Sequence, residues 1–406
     1  MNVLVAIIGL AVLILFHEAG HFFVARAVGM NPRRFYLGFP PAIVKVTRKG
    51  IEYGIGAIPL GGFVKIPGMH RPAASDLDVQ FGSAIQEQPQ IFPKTSRVKR
   101  ALERSDLDGA RDALPALQAE VDRADLSPAA LRSAERGLNE LRDGLSRDAY
   151  WRQRTWKRVA VIFAGPGVNI LLALILSTLA YAIGTKTAAP VVGSVDAMKP
   201  ATVAGLHTGD RIVAINGVAT PRFEDVSRAI RTSNGQNLRV TVLRSGTRET
   251  LPPVRAVKDA GHYVLGFRPK LETEKLGIGS AIRQSARDNW TATKLTATFL
   301  PRIFTNSGRK DVSSTVGIVD YSSQAVGIEF SFFLQVLGLI SLSLALLNLL
   351  PLLPLDGGHI LFSLIEGVRG RAVGREVYER VSAVGIALFL VLMFIGLSND
   401  IGRLTG

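Results

Sequence analysis

Two imidazoles and a carboxylate within five residues could hold a metal ion and work on a water bound to it. His17-Glu18-Ala19-Gly20-His21 sets two imidazoles four residues apart. On a helix that is about one turn, so both rings leave the same face with Glu18 beside them. Two imidazoles at this spacing can hold one Zn²⁺, and a carboxylate so placed can take a proton from a water on the metal. A further acidic candidate lies far along the chain, in Asn348-Leu349-Leu350-Pro351-Leu352-Leu353-Pro354-Leu355-Asp356-Gly357-Gly358-His359. The prolines there break a helix, the glycines let the backbone bend, and Asp356 is presented as a third ligand. With no cysteine in the chain, zinc would have to use histidine and carboxylate. His70, His207 and His262 stand in loop-like sequence and read as solvent-facing. His359, close to Asp356, reads as a supporting or structural neighbour.

The elements that must position these groups are apolar. Met1 to Phe16 carry no charge, and four runs, at 2–27, 159–183, 330–352 and 381–397, approach the ~20 residues that cross a bilayer core. The chain has 406 residues, 47% of them hydrophobic, and a mean hydropathy of +0.24, so the expected class is a polytopic α-helical membrane protein. Ionisable groups at the end of such a run are costly unless they face a polar interior, which makes HEAGH a functional candidate. The net charge is +15. Arg33, Arg34, Lys45, Arg48 and Lys49 follow the first run; Arg152, Arg154, Lys157 and Arg158 precede the second; Arg369, Arg371, Arg375 and Arg380 separate the third from the fourth. This positive-inside pattern places 28–158 and 355–380 in the cytoplasm, and the N-terminus, 184–329 and the C-terminus outside. The basic excess therefore points to a lipid bilayer and not to nucleic acid. No positive segment precedes the first run, which ends in HEAGH, so it does not read as a cleaved signal peptide. Val3 to His17 spans ~21 Å of helix, about two-thirds of a ~30 Å core. Begun from outside, that depth sets both motifs nearer the cytoplasmic side.

Between the runs the chain changes character. Residues 51–66 are apolar, too short to cross, and rich in Gly; they predict a membrane-associated, re-entrant β-hairpin turning at Pro59-Leu60-Gly61-Gly62, within a cytoplasmic-side loop 29–70. Residues 71–158 predict a charged cytoplasmic helical insert, a pair over Val98–Asp122 and Pro128–Leu145, with Ser127 as N-cap and Pro128 as first helical residue. Asn169, in Ala164-Gly165-Pro166-Gly167-Val168-Asn169, needs a partner inside the bilayer. Residues 186–270 predict a compact α/β module, with VVGSV, DRIVAING, NLRVTVLRSG and HYVLGFRP as strands and FEDVSRAIRTS as a helix. In 271–329, Ile278 to Phe304 predicts an amphipathic helix on the outer surface.

The stretch AGLHTGDRIVAING resembles a PDZ domain, with Leu265-Gly266-Phe267 as a weaker match to its peptide-terminus loop. HEAGH in span 1–28, the GPGVN stretch in span 159–184, this module, and NLLPLLPLDGG in span 330–358 together resemble the site-2 protease family, bacterial intramembrane zinc metalloproteases, here with one PDZ domain. The resemblance covers most of the chain apart from 71–150, where typical bacterial members carry a short loop. It implies that His17, His21 and Asp356 bind one Zn²⁺ and that Glu18 is the catalytic base. Asn348, offset from the family pattern by extra leucines, and Asn169, Gly61 and Gly62 are candidates for active-site support or substrate contact. It implies single-pass membrane substrates already shortened outside, such as anti-sigma factors or signal-peptide remnants, cut in transmembrane signalling. It implies a multi-pass protein of the bacterial inner membrane, with the PDZ module outside and serving either peptide contact or the exclusion of bulky substrates. The alternative is a non-catalytic PDZ scaffold; a metal transporter would need more polar residues along the third and fourth spans.

Overall fold

The computed structural model describes residues 1–259, 261–299 and 314–405, divided between two compact units, Met1–Leu176 with Ala286–Gly406, and Ser177–Ser285. Helices α1 (Asn2–Ala27) and α2 (Ala74–Glu87) flank a sheet; α3 (Phe92–Glu103), α4 (Leu107–Arg123), α5 (Pro128–Leu145) and α6 (Thr155–Ile183) follow. Then come α7 (Pro200–Val203), α8 (Phe223–Arg231), α9 (Ile278–Phe299), α10 (Thr315–Ile328), α11 (Phe330–Asn348), α12 (Asp356–Arg369) and α13 (Arg375–Thr405). Among the described residues, four helices are long and apolar enough to cross a membrane: Asn2–Ala27, Thr155–Ile183, Phe330–Asn348 and Glu376–Gly402. Val3, Leu4, Ile8 and Phe16 of α1, and Phe389, Val391 and Phe394 of α13, are exposed, as lipid-facing side chains would be. The third span is shorter than the run 330–352 suggests, because α11 stops at Asn348 ahead of the prolines. The last, expected over 381–397, starts earlier and runs further.

Two small cores hold α1, one near its middle and one at its C-terminal end. Leu13 packs with Phe333, Val336 and Leu337 of α11 and Ala325 of α10. Ala25 and Met30 pack with Ile66, Tyr150, Val161 and Ile162. Lys157 Nζ donates to the Val28 carbonyl at 2.8 Å, capping the end of α1. Arg158 pairs with Glu366 at 2.6 Å and Tyr150 bonds Ser363 at 2.9 Å, so α12 is tied to the start of α6.

The first sheet corrects the expected hairpin. Strand β1 (Arg34–Arg48) pairs antiparallel with β2 (Ile51–Lys65), and the chain reverses at Lys49-Gly50, not at Pro59–Gly62. Lys49 and Gly50 have φ of 49° and 77°, as a two-residue hairpin turn requires. Arg34–Leu37 lies between two stretches of β2, matched to Glu52–Ile55 on one side and to Gly62–Lys65 on the other. The Pro59–Gly62 stretch is thus an internal bend of β2.

Residues 71–150 form four helices, α2 to α5, where a pair was expected. Leu77, Phe81, Ile91, Val98, Leu117, Leu138 and Leu141 form a closed core. The expected first helix is broken at Ser105, whose φ is 58°, and Asp106 then caps α4 by accepting from Gly109 N at 2.8 Å. Ser127 caps α5 as its sequence predicts. Arg33 reaches Asp143 at 3.0 Å and Asp148 at 3.3 Å, and Lys65 reaches Asp143 at 2.7 Å. The bundle is thereby joined to the first sheet where β1 begins and β2 ends.

In the second unit, β3 (Thr185–Val195), β4 (Arg211–Ile215) and β5 (Val218–Ala219) precede α8; β6 (Asn237–Leu238), β7 (Val240–Arg244), β8 (Thr247–Thr250), β9 (Val254–Arg255), β10 (Val257–Asp259), β11 (His262–Val264) and β12 (Phe267–Glu274) follow. The main sheet has the order β12-β3-β4-β7-β8, with β5 beside β4. Val192, Ile212, Val226, Ile230 and Val240 fill its core. Buried Asp210 accepts from Arg244 Nε at 2.8 Å, from Arg244 Nη2 at 2.7 Å and from His207 N at 2.8 Å. Burial opposes its ionisation, yet these donors outweigh it and hold its carboxyl below the usual carboxylate range. Helix α9 begins at Ile278 as expected; the remainder of the predicted helix, to Phe304, lies outside the described residues. Helix α10, in the same connector, is an element that the sequence reading does not contain.

Candidate metal centre

Three donors meet where α1, α6 and α12 come together. His17 Nε2 lies 3.3 Å from His21 Nε2 and 3.3 Å from Asp356 Oδ2, and His21 Nε2 lies 3.4 Å from the same oxygen. Both histidines are buried, and they form with Asp356 the one group of metal-binding type among the described residues. The distances carry chemical meaning. A tetrahedral ion with bonds of about 2.0–2.1 Å needs donors about 3.3–3.4 Å apart. Asp356 Oδ2 is buried and accepts no hydrogen bond, a costly state for a carboxylate oxygen unless a cation meets it.

The outer nitrogens fix which atoms point inward. His21 Nδ1 stands 2.8 Å from the Val161 carbonyl, which can only accept, so Nδ1 carries the proton and Nε2 presents a lone pair. The Asn169 amide lies 3.2 Å from His17 Nδ1. The near atom is Nδ2, while Oδ1 is buried without a partner; the reversed amide orientation would let Oδ1 accept the Nδ1 proton and leave the second Nε2 as a lone pair. Ser341 of α11 donates to the Asn169 carbonyl at 2.9 Å, tying α11 to the same turn of α6. Hydrogen bonds of this kind orient imidazoles in metal sites.

Glycines make the approach. A Cβ on Gly165 would overlap His21 Nε2, so α6 passes the imidazoles only because that position is glycine. A Cβ on Gly20 would stand 2.6 Å from the Ala164 carbonyl oxygen. Each helix thus carries a glycine where the other presses on it, close packing of the kind small residues permit between membrane helices. Gly357 and Gly358 do the same within one segment: side chains there would run into the backbone of Leu349, Leu350 and Leu353. Asp356 consequently starts α12 folded tightly back on the end of α11.

Glu18 is half-buried beside the two histidines on α1, and a Cβ on Gly62 would overlap its Cγ. Gly62, buried in β2, therefore lies against the candidate base. Its neighbour Gly61 has a φ of 153° and faces the Phe39 ring. Asn348 closes α11 half-buried, and no hydrogen bond joins its side chain to the three donors. His359 bonds Tyr378 of α13 through Nδ1 at 2.5 Å; burial pushes its pKa down to about 4, which keeps the ring neutral. Gly165 is the contact that motif spacing alone does not expose, although the small-residue run before Asn169 was its signal.

The sequence matches the description "Peptidase family M50" over residues 5–392. It is 30% identical to the regulator of sigma-W protease RasP of Bacillus subtilis over 99% of this chain and 99% of that protein. It is 28% identical to the zinc metalloprotease RasP of Bacillus licheniformis, over 100% of both chains. For the zinc metalloprotease RasP of Geobacillus kaustophilus the identity is 27%, over 96% of this chain and 95% of that one. The family match encloses 71–150 as well as the two motifs at either end.

Proposed function

The chain belongs to peptidase family M50, and from that premise we propose that it cleaves the transmembrane segments of single-pass membrane proteins with one Zn²⁺ held by His17, His21 and Asp356. The observation that supports the ligand set is the triangle of donors at 3.3–3.4 Å around an oxygen that accepts no hydrogen bond. Zinc bound there would polarise the scissile carbonyl and acidify the attacking water. Glu18 takes the proton of that water on its carboxylate and returns it to the departing amine. Asn169 and the Val161 carbonyl hold the two imidazoles in the tautomer that ligation needs. A helical substrate hides its carbonyls in backbone hydrogen bonds, so it must unwind before attack. Gly62–Lys65, paired on one side to Arg34–Leu37 and carrying Gly62 against Glu18, offers an edge that could hold the unwound segment as an added strand.

The distribution of basic residues supports a bacterial inner-membrane setting with 71–158 in the cytoplasm, the zinc site nearer that face and 186–270 outside. The edge position of β12, which directly follows Leu265-Gly266, supports a PDZ-type module that meets an extended peptide or excludes bulky outer domains. The relative named for sigma-W regulation supports substrates of the anti-sigma-factor kind, already shortened outside. The experiment is Glu18→Gln in the purified protein: cleavage of a single-pass substrate stops while zinc content stays at one per chain. Activity at the level of the unmodified protein in that variant would remove Glu18 as base.

A further inference from the structure

A cavity of about 860 Å³ opens at the end of α1 beside the turn of the β1–β2 hairpin. It lies apart from the three metal donors and is lined by Arg26, Arg48 and Lys49, with Pro32, Ile51 and Tyr53 as its less polar wall. Its volume is that of a small-molecule site. Arg33 also lines it, but that guanidinium is taken by Asp143 and Asp148. The other three cations have no ion pair among the described residues; Arg26 only leans over the Phe22 ring, at 5.8 Å. No acid lines the cavity. Glu52, the acid next along β2, is turned to Arg34 and Lys45, each at 3.2 Å, and to the Tyr36 hydroxyl.

Three uncompensated cations converging on one cavity describe an anion site. The surroundings say which anion. Arg26 is in the last turn of a candidate membrane span, and the β1 arm that leads to Arg48 exposes Ile43, Val44 and Val46. A ligand with a phosphate at one end and hydrocarbon at the other satisfies both features, whereas a free phosphate uses only the first. We propose that this cavity binds the headgroup of an anionic phospholipid, with the phosphate among Arg26, Arg48 and Lys49 and the acyl chains along the exposed face of β1. The hairpin that carries two of these cations continues into the strand lying against Glu18.

The test uses the full-length protein, purified in detergent and reconstituted into phosphatidylcholine nanodiscs doped with phosphatidylglycerol, with lipids retained after detergent washing counted by native mass spectrometry. The unmodified protein is expected to retain phosphatidylglycerol over phosphatidylcholine. The triple variant Arg26→Gln, Arg48→Gln, Lys49→Gln should retain at least about tenfold less, given the attraction of each cation for an anionic surface. Removing three exposed arginines elsewhere, Arg132→Gln, Arg369→Gln and Arg371→Gln, should change nothing. Equal loss in that control would reduce the effect to overall charge and overturn the proposal. Displacement of the lipid by inorganic phosphate would overturn it in favour of a free-phosphate site. Should the triple variant melt at a lower temperature, Lys49→Gln alone, at the turn, must still lower retention; unchanged retention there refutes the site.

Discussion

Two aspartates, Asp210, which is buried, and Asp356, half-buried with its Oδ2 shut away from solvent, sit in two different units and have opposite surroundings. Asp210 has both oxygens occupied, by two guanidinium nitrogens and a backbone N–H. Asp356 has an oxygen facing two histidine lone pairs and accepting nothing. The first arrangement is complete and locks the His207–Asp210 turn to β7. The second is a carboxylate oxygen placed so that a cation between it and the imidazoles would satisfy it. Burial alone does not tell a structural carboxylate from a ligand; the inventory of donors does.

The largest effect expected is on the incomplete site. Asp356→Ala or His21→Ala should lose bound zinc and reduce cleavage by on the order of a thousandfold or more, since each removes a ligand. Zinc retained in full by either variant, measured by atomic emission, would take that residue out of the ligand set. Gly165→Ala comes next. Its new methyl meets His21 Nε2, so zinc content and cleavage should fall together while the detergent-solubilised protein keeps its helical content. A fully active Gly165→Ala would mean that α6 can retreat, contrary to the contact described. Asn169→Ala should weaken zinc by about 10–100-fold, the usual cost of losing a supporting hydrogen bond to a liganding histidine; a chelator titration reads this directly, and an unchanged affinity would separate Asn169 from the site.

The smallest effect belongs to the complete aspartate. Asp210→Asn should cost the 177–285 unit about 1–3 kcal/mol in thermal unfolding and leave zinc content alone. The acid dependence has a definite sign. Because the folded carboxyl titrates below its unfolded value of about 3.9, its contribution is full above that pH and is lost as pH falls through the folded value. Melting should therefore not respond to Asp210 between neutral pH and about pH 5, and the Asn variant should lose part of the decline seen below pH 4. A variant that matches the unmodified protein at neutral pH would make the Arg244 contact decorative.

The cluster of His17, His21 and Asp356 was legible because a helix converts a spacing of four residues into a shared face, and because Pro354 and Gly357-Gly358 announce a break that presents Asp356. What surrounds them was not. Asn169 could be read as needing a partner, but nothing local names His17, since that meeting depends on how α6 crosses α1. The position of the reversal is hidden for a chemical reason: Pro59-Leu60-Gly61-Gly62 has the composition of a turn, while Lys49-Gly50, which makes the reversal, stands in a basic flank. A lysine accepts the left-handed conformation there because the following glycine completes the turn. The bundle was half seen. Its later helices carry a clear Ser127-Pro128 start, whereas the break at Ser105 shows only in Asp106, an N-cap among many charged residues, and the Leu77, Phe81 and Ile91 positions acquire a common core only when four helices close on each other.

The facing glycines of α1 and α6 have a mechanical consequence. With Gly20 seated on the Ala164 carbonyl and Gly165 on the His21 ring, the two helices are keyed to each other like a dowel and its socket. Sliding either by one residue brings a side chain against the other's backbone, so this pair has one register. Whatever movement lets a helix as wide as about 10 Å reach Glu18 cannot be a shear of α1 against α6. The pair is the stator, and the moving parts of the machine lie among the other elements that surround it.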